Sequence, residues 1–267
     1  MLRDITIGQY YAVDSPVHRL DARTKVLFTF LYVVALFVVE DYIGFLPLVA
    51  VFLFTVLLSK VPLKYILRGL KPIIFIILIT VIFNLFGSAS GNVLVKVWKL
   101  KITDVGLKRG IFLALRLILL MLGTSMMTFT TTPNQLTDAL EYIFRPLKVI
   151  RVPVHELAMM MSIALRFIPI LLDETDRIMK AQQARGADFE SGNIFHRAKS
   201  MVPIFIPLLI SAFRRAFDLA QAMEARCYHG GEGRTKFKPM KYHFGDFVAY
   251  AIGLLLFATT IAVRILM

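Results

Sequence analysis

Apolar residues in this chain gather into long runs with charged connections between them. Five runs stand out, from Val26 to Val39, Ile43 to Leu58, Pro72 to Phe86, Gly110 to Phe129 and Phe247 to Val263. A helix needs about 20 residues to cross a bilayer and tolerates about 17. The first three runs are therefore short as they stand. They reach across if the helices extend into their flanks and Arg23, Lys25, Lys60 or Lys71 snorkel to the headgroups. Only Glu40, Asp41 and Tyr42 separate the first two runs, which predicts a helical hairpin with an acidic tip.

Between the fourth and fifth runs the pattern changes. From Val154 to Arg185, apolar positions Leu157, Met161, Ala164, Ile168, Leu171, Leu172 and Ile178 recur at helical spacing among Asp173, Glu174, Asp176 and Lys180. From His196 to Arg226, Ile204, Leu208, Leu209, Ala212, Ala216 and Ala220 do the same. Both stretches read as long amphipathic helices, too charged in their C-terminal halves to span, yet apolar enough to lie against lipid or other helices. Asn134 to Ile150, after Pro133, is a shorter third candidate. Val93 to Ile102 is rich in β-branched and aromatic residues, and from Val95 to Ile102 apolar residues alternate roughly with lysines around Trp98, the pattern of a short extended segment or hairpin at the membrane interface. The expected architecture is an all-α polytopic membrane protein with about five transmembrane helices. Two to three long amphipathic cytoplasmic helices complete it, the ones expected below to act in coupling. Residues 1–130 form a membrane domain of four spans, 131–243 a cytoplasmic helical domain and 244–267 a last transmembrane helix.

Composition agrees with the membrane class. Only 18% of the residues are charged, where a soluble domain carries about a quarter, and the mean hydropathy is +0.69. The net charge of +13 does not gather on one basic face but alternates with the apolar runs, so a nucleic-acid partner is not expected. It does orient the chain. Residues 1–25, 59–71 and 131–243 together hold twenty-four Lys and Arg, against five in the 87–109 connection and none at the 40–42 tip. The positive-inside rule then places the N-terminus in the cytoplasm and the C-terminus outside. Asp4, Asp14 and Asp21 interrupt the first 25 residues and no apolar h-region precedes the first run, so that run is expected to be an anchor itself. Cys227 is the single cysteine and the five histidines are scattered, a distribution that predicts no disulfide, metal site or cofactor.

The two long helices echo one another. The first contains Phe167-Ile168-Pro169-Ile170-Leu171 and ends Ala184-Arg185-Gly186; the second contains Phe205-Ile206-Pro207-Leu208-Leu209 and ends Ala225-Arg226-Cys227. Pro169 and Pro207 are candidate hinges, since each removes a helical hydrogen bond. An arginine at a helix C-terminus often does no more than complement the dipole. Two copies at matching positions instead suggest two similar sockets on a dimeric partner, with the planar guanidinium donating to carboxylates or carbonyls.

On these residues the chain resembles the transmembrane (T) component of energy-coupling factor transporters, a branch of the ABC importers. The paired Ala-Arg tips match that family's coupling motifs. Ser15-Pro16-Val17-His18-Arg19-Leu20-Asp21-Ala22-Arg23-Thr24-Lys25 resembles its N-terminal S-x-x-H-x-L-D-P-R-x-K stretch, with Ala22 where Pro is usual. Ile102 to Leu107 leading to Leu115-Arg116-Leu117, and Ala164 to Pro169, are similar to further family runs; Cys227 stands where Gly is frequent. The resemblance implies a non-catalytic subunit. Two ABC-type ATPase subunits would receive Ala184, Arg185, Gly186 and Ala225, Arg226, Cys227. A small membrane S component would pack on the amphipathic helices, and a vitamin or other micronutrient would be imported. Met159, Met160 and Met161 offer adaptable apolar surface for the S component, although methionine also fills ordinary packing gaps.

The remaining residues favour structure over chemistry. Arg116, about seven residues into the fourth run, is expected to anchor the fold, because an intramembrane charge is expensive without a partner. Asp21 reads as a helix cap, and Ser15 with His18 as a turn. His155-Glu156 lacks the second histidine of a zinc protease helix, and Gly230 to Lys236 lacks the G-K-[S/T] ending of a phosphate loop. Asp173, Glu174 and Asp176 read as a solvated face. A lipid-acting membrane enzyme would need a nucleophile–base pair or a metal cluster, and a self-sufficient transporter would need paired charges within its spans.

Overall fold

The structure is a computed structural model that describes residues 10–71, 73–87, 93–97, 100–187, 189, 193–231 and 239–266. Nine α-helices and one two-stranded hairpin lie within them: α1 Ala22–Val38, α2 Phe45–Ser59, α3 Leu63–Leu70, α4 Ile74–Gly87, β1 Val93–Val97, β2 Leu100–Thr103, α5 Asp104–Thr130, α6 Pro133–Phe144, α7 Val154–Ala184, α8 Ile194–Ala225 and α9 Phe244–Leu266. The fold is an all-α polytopic membrane protein, and the hairpin expected near residue 98 is present, β1 running antiparallel to β2. Trp98 and Glu232 to Lys236 lie outside the described residues.

The chain divides into two units. One comprises residues 8–139 with 240–267, the other residues 140–239. In the first unit, α5 packs against α1, α2, α3 and α4, and α9 packs against α1 and α2. Tyr32, Ala35 and Leu36 of α1 meet Phe45 and Leu48 of α2, Leu119 of α5 and Leu256 of α9 in one buried cluster. The crossing of α1 and α5 is close because Gly123 has no side chain: a methyl there would stand 2.3 Å from the Tyr32 ring. Small residues let membrane helices approach in this way.

Local chemistry fixes the helix ends. The Asp21 carboxylate accepts from Arg23 N at 2.9 Å and caps α1, as its position in the sequence predicts. Thr103 caps α5, accepting from Gly106 N. At α6, Thr132 N donates to Gln135 Oε1 while Gln135 N donates to Thr132 Oγ1, a reciprocal capping box with Pro133 at the first helical position. Arg116 donates to the carbonyl of Val39, the C-terminal cap of α1, and stacks over Phe112 with 4.9 Å to the ring centroid. It anchors one helix to the end of another, the structural role expected of a cation at that depth.

Among the described residues, five helical segments are long and apolar enough to cross a membrane; three of them contain runs picked out along the sequence and two, within α7 and α8, do not. The five are Tyr42–Ser59, Asp104–Thr130, Val154–Ala184, Lys199–Ala225 and Phe244–Ile265. With 17 and 14 residues, α1 and α4 are short as single helices; α3 and α4, set at 53° to each other, together make a sixth candidate. By length and composition alone α7 and α8 also qualify, each over a window of 18 residues, beside the charged C-terminal halves read from the sequence. The cause in α8 is a second apolar face. Ile204, on the face read from the sequence, is buried, while Val202, Ile206, Phe213 and Phe217 form an exposed apolar stripe on another side of the helix. A helix apolar on more than one side is covered by lipid or by protein.

Candidate coupling tips

In the second unit α7 and α8 run in opposite directions against each other. Arg215 Nη2 donates to Glu174 Oε2 at 2.9 Å, so Glu174 of the acidic run is paired across the two helices. Further along, Gln182 Nε2 donates to the Pro203 carbonyl at 3.4 Å. That carbonyl is available because Pro207, four residues on, has no N–H to offer it. Both helices continue through their internal prolines, Pro169 in α7 and Pro203 and Pro207 in α8. Pro203 is a third such position, legible in the sequence and overlooked in favour of the repeated motif.

The two Ala-Arg tips adopt the same fold. At the end of α7, Gly186 N donates to Gln183 O at 2.9 Å and Ala187 N to Gln182 O at 3.0 Å. At the end of α8, Cys227 N donates to Glu224 O at 2.9 Å and Tyr228 N to Met223 O at 3.0 Å. Each is a Schellman motif in the same register, with arginine at the C-cap and the next residue left-handed, Gly186 at φ 88° and Cys227 at φ 55°. The register holds Arg185 and Arg226 at equivalent places on two terminating turns whose last carbonyls are already hydrogen-bonded. All six residues, Ala184 to Gly186 and Ala225 to Cys227, are exposed. The sequence echo is thus an echo in three dimensions.

The tips stand apart. With the level of Gln182 marked on α8 by Pro203, the remaining helix to Ala225 rises by about 33 Å. Met160 and Met161 lie exposed on α7, and Met159 is half-buried.

The N-terminal motif is absorbed elsewhere, in the first unit. Arg23 forms a buried fork with Asp21, Nε at 3.0 Å and Nη2 at 2.8 Å, and stacks on Tyr242. Asp246, at the start of α9, accepts from Asp21 N at 2.8 Å and from His243 N at 2.7 Å. Lys25 Nζ donates to the carbonyls of His18 and Thr130. Ser15 and His18 close the predicted turn, with Ser15 Oγ 2.7 Å from Nδ1. His18 Nε2 lies 2.9 Å from the Tyr11 carbonyl. A carbonyl only accepts, so the neutral ring carries its proton on Nε2. This clasp holds α1 against α9. Asp246 was not among the candidates, and nothing within its own segment points 225 residues back to Asp21.

Comparison with known proteins bears on what these tips belong to. Residues 14–237 match the CbiQ family, described as cobalt transport protein. A Clostridium kluyveri protein named energy-coupling factor transporter transmembrane protein EcfT is 52% identical over 266 residues, covering 99% of this chain and 98% of that one. One of the same name from Thermosediminibacter oceani is 53% identical over 256 residues, covering 95% and 96%. Another from Bacillus subtilis is 46% identical over 240 residues, covering 90% and 91%. The chain belongs to this family. It is a multi-pass transmembrane component of an energy-coupling factor transporter, and transport is the work its architecture serves.

Proposed function

We propose that this chain is the coupling subunit of an energy-coupling factor importer and carries no catalytic centre of its own. Two ATPase subunits dock on the tips, one at Ala184-Arg185-Gly186 and one at Ala225-Arg226-Cys227. ATP is hydrolysed on those partners. The α7–α8 pair carries their movement to a small membrane S component, which binds the cargo, a vitamin or other micronutrient. The exposed stripe of α8 and Met159, Met160 and Met161 of α7 supply apolar surface for that component. Charge asymmetry supports an N-terminus in the cytoplasm and a C-terminus outside, in the cell membrane.

The observation carrying this reading is the duplicated tip: two identical caps, each presenting an exposed arginine, separated by too much helix to enter one socket. A hydrogen bond to a charged group is worth about 1.5–3 kcal/mol, so losing either arginine should weaken docking about tenfold or more. The chain extracted in mild detergent from its native membrane is expected to bring down two nucleotide-binding subunits. Replacing Arg185 and Arg226 together with alanine should abolish that recovery while insertion persists. Wild-type chain that transports without partners, or a double variant that still holds its ATPases, would overturn the proposal.

A further inference from the structure

The tips share a cap but differ in what surrounds them. Among the described residues, a methyl group built on Gly186 meets nothing within 4 Å. Four residues beyond Cys227, one built on Gly231 would stand 2.1 Å from Cδ2 and 2.7 Å from Cγ of His155. Gly186 and Gly230 are the glycines with positive φ among the described residues, so the requirement at Gly231 is for space and not for a left-handed backbone. The His155 ring, in the first turn of α7, is held on its far side as well, with Nδ1 2.9 Å from Glu141 Oε1 of α6. The ring therefore sits between a carboxylate and a stretch of bare backbone. At the first tip, the nearest counterpart among the described residues is the Gln182–Pro203 hydrogen bond, exposed and 3.4 Å long, beyond the usual range of about 2.7–3.2 Å.

We propose that Glu141, His155 and Gly231 form a brace that fixes the second tip against the start of α7 and the end of α6, and that the first tip is the more mobile of the two. The inference rests on the coupling reading for its meaning, since it makes the two docking points mechanically unequal. A partner seated on Arg226 moves the α6–α7 corner through contacts within a few residues of that tip. One seated on Arg185 acts through the length of α7. His155, Glu141 and Gly231 are positioning residues here.

The chain supplies its own probe. Cys227 is the single cysteine, exposed and adjacent to Arg226. A methanethiosulfonate nitroxide on Cys227 reports the second tip in the full chain in lipid nanodiscs, without ATPases. The same label on Gln183→Cys in a Cys227→Ser background reports the first. The label at 183 is expected to tumble about twofold faster or more than the one at Cys227 on the nanosecond scale. Gly231→Ala, Glu141→Ala and His155→Ala should each mobilise the label at Cys227 and leave the label at 183 unchanged. Because the three act as one unit, Gly231→Ala combined with His155→Ala should be no more mobile than either alone. Equal mobility at the two tips, an unmoved Cys227 spectrum in Glu141→Ala or His155→Ala, or additive effects in the double variant would overturn the brace. Partners are absent from this measurement, so it stands or falls apart from the ATPase-docking test.

Discussion

At the scale of single residues, the second tip carries a cost that the first avoids. Cys227 holds φ 55° with a side chain, where Gly186 holds φ 88° without one. An L-residue in the left-handed region is disfavoured by about 1–2 kcal/mol, partly offset by the greater freedom glycine loses on folding. Cys227→Gly should therefore stabilise the protein by about 0.5–1 kcal/mol, read as a raised thermal midpoint in detergent. A lower midpoint would mean that the thiol contributes packing the cap geometry does not reveal. His18 makes a second residue-scale case. Burial pushes its imidazole below the ordinary value of 6.5, against the raising effect of its hydrogen bond to the Tyr11 carbonyl. The folded chain thus binds fewer protons at this site than the unfolded chain. The stability His18 contributes is complete above 6.5 and is lost as pH falls through its lower folded value. Thermal midpoints of wild type and His18→Gln should differ less at pH 5 than at pH 7.5, and a gap that widens on acidification would contradict this sign.

Among the elements, α8 shows what a periodicity reading captures and what it passes over. The helical spacing of apolar residues and the Ala-Arg endings located both long helices to within a residue or two, because an amphipathic pattern and a C-cap are local properties of the chain. Which face of α8 meets α7 is not local. Ile204 turns inward and the stripe from Val202 to Phe217 stays exposed, and only the pairing of the helices decides between the two. Pro207 sharpens the point, since its effect appears 25 residues away, where Gln182 takes up the Pro203 carbonyl. Pro207→Ala gives that carbonyl an intrahelical donor, and replacing an interior proline recovers up to about 3 kcal/mol of helix stability. The variant should melt higher while its importer complex transports less per ATP hydrolysed, if flexibility at Pro207 serves coupling. A variant that is both more stable and fully coupled would remove Pro207 from the list of hinges.

For the whole molecule, the sequence sufficed for the class, the helical count near the middle of the chain and the two arginine tips. It did not reveal the clasp of Asp21, Arg23 and Asp246 or the pairing of Glu174 with Arg215, because each joins segments with no common local pattern. The second pairing now sets the geometry on which the coupling proposal depends. With α7 and α8 opposed, the tips lie at opposite ends of one two-helix rod, and the helix rise puts them about 30–40 Å apart. Were they to close toward each other, one ATPase surface would suffice and the duplication would be redundant. Nitroxides at Gln183→Cys and at native Cys227 span that rod and read its length by pulsed dipolar spectroscopy. Glu174→Arg places two cations at the crossing and should broaden the distance distribution, whereas Glu174→Arg with Arg215→Glu restores opposite charges and should narrow it again. The pair is only partly buried, so the loss from the single reversal should be about 1 kcal/mol or less. A wild-type distance well under about 30 Å would mean that the helices cross differently and that the tips face a single partner.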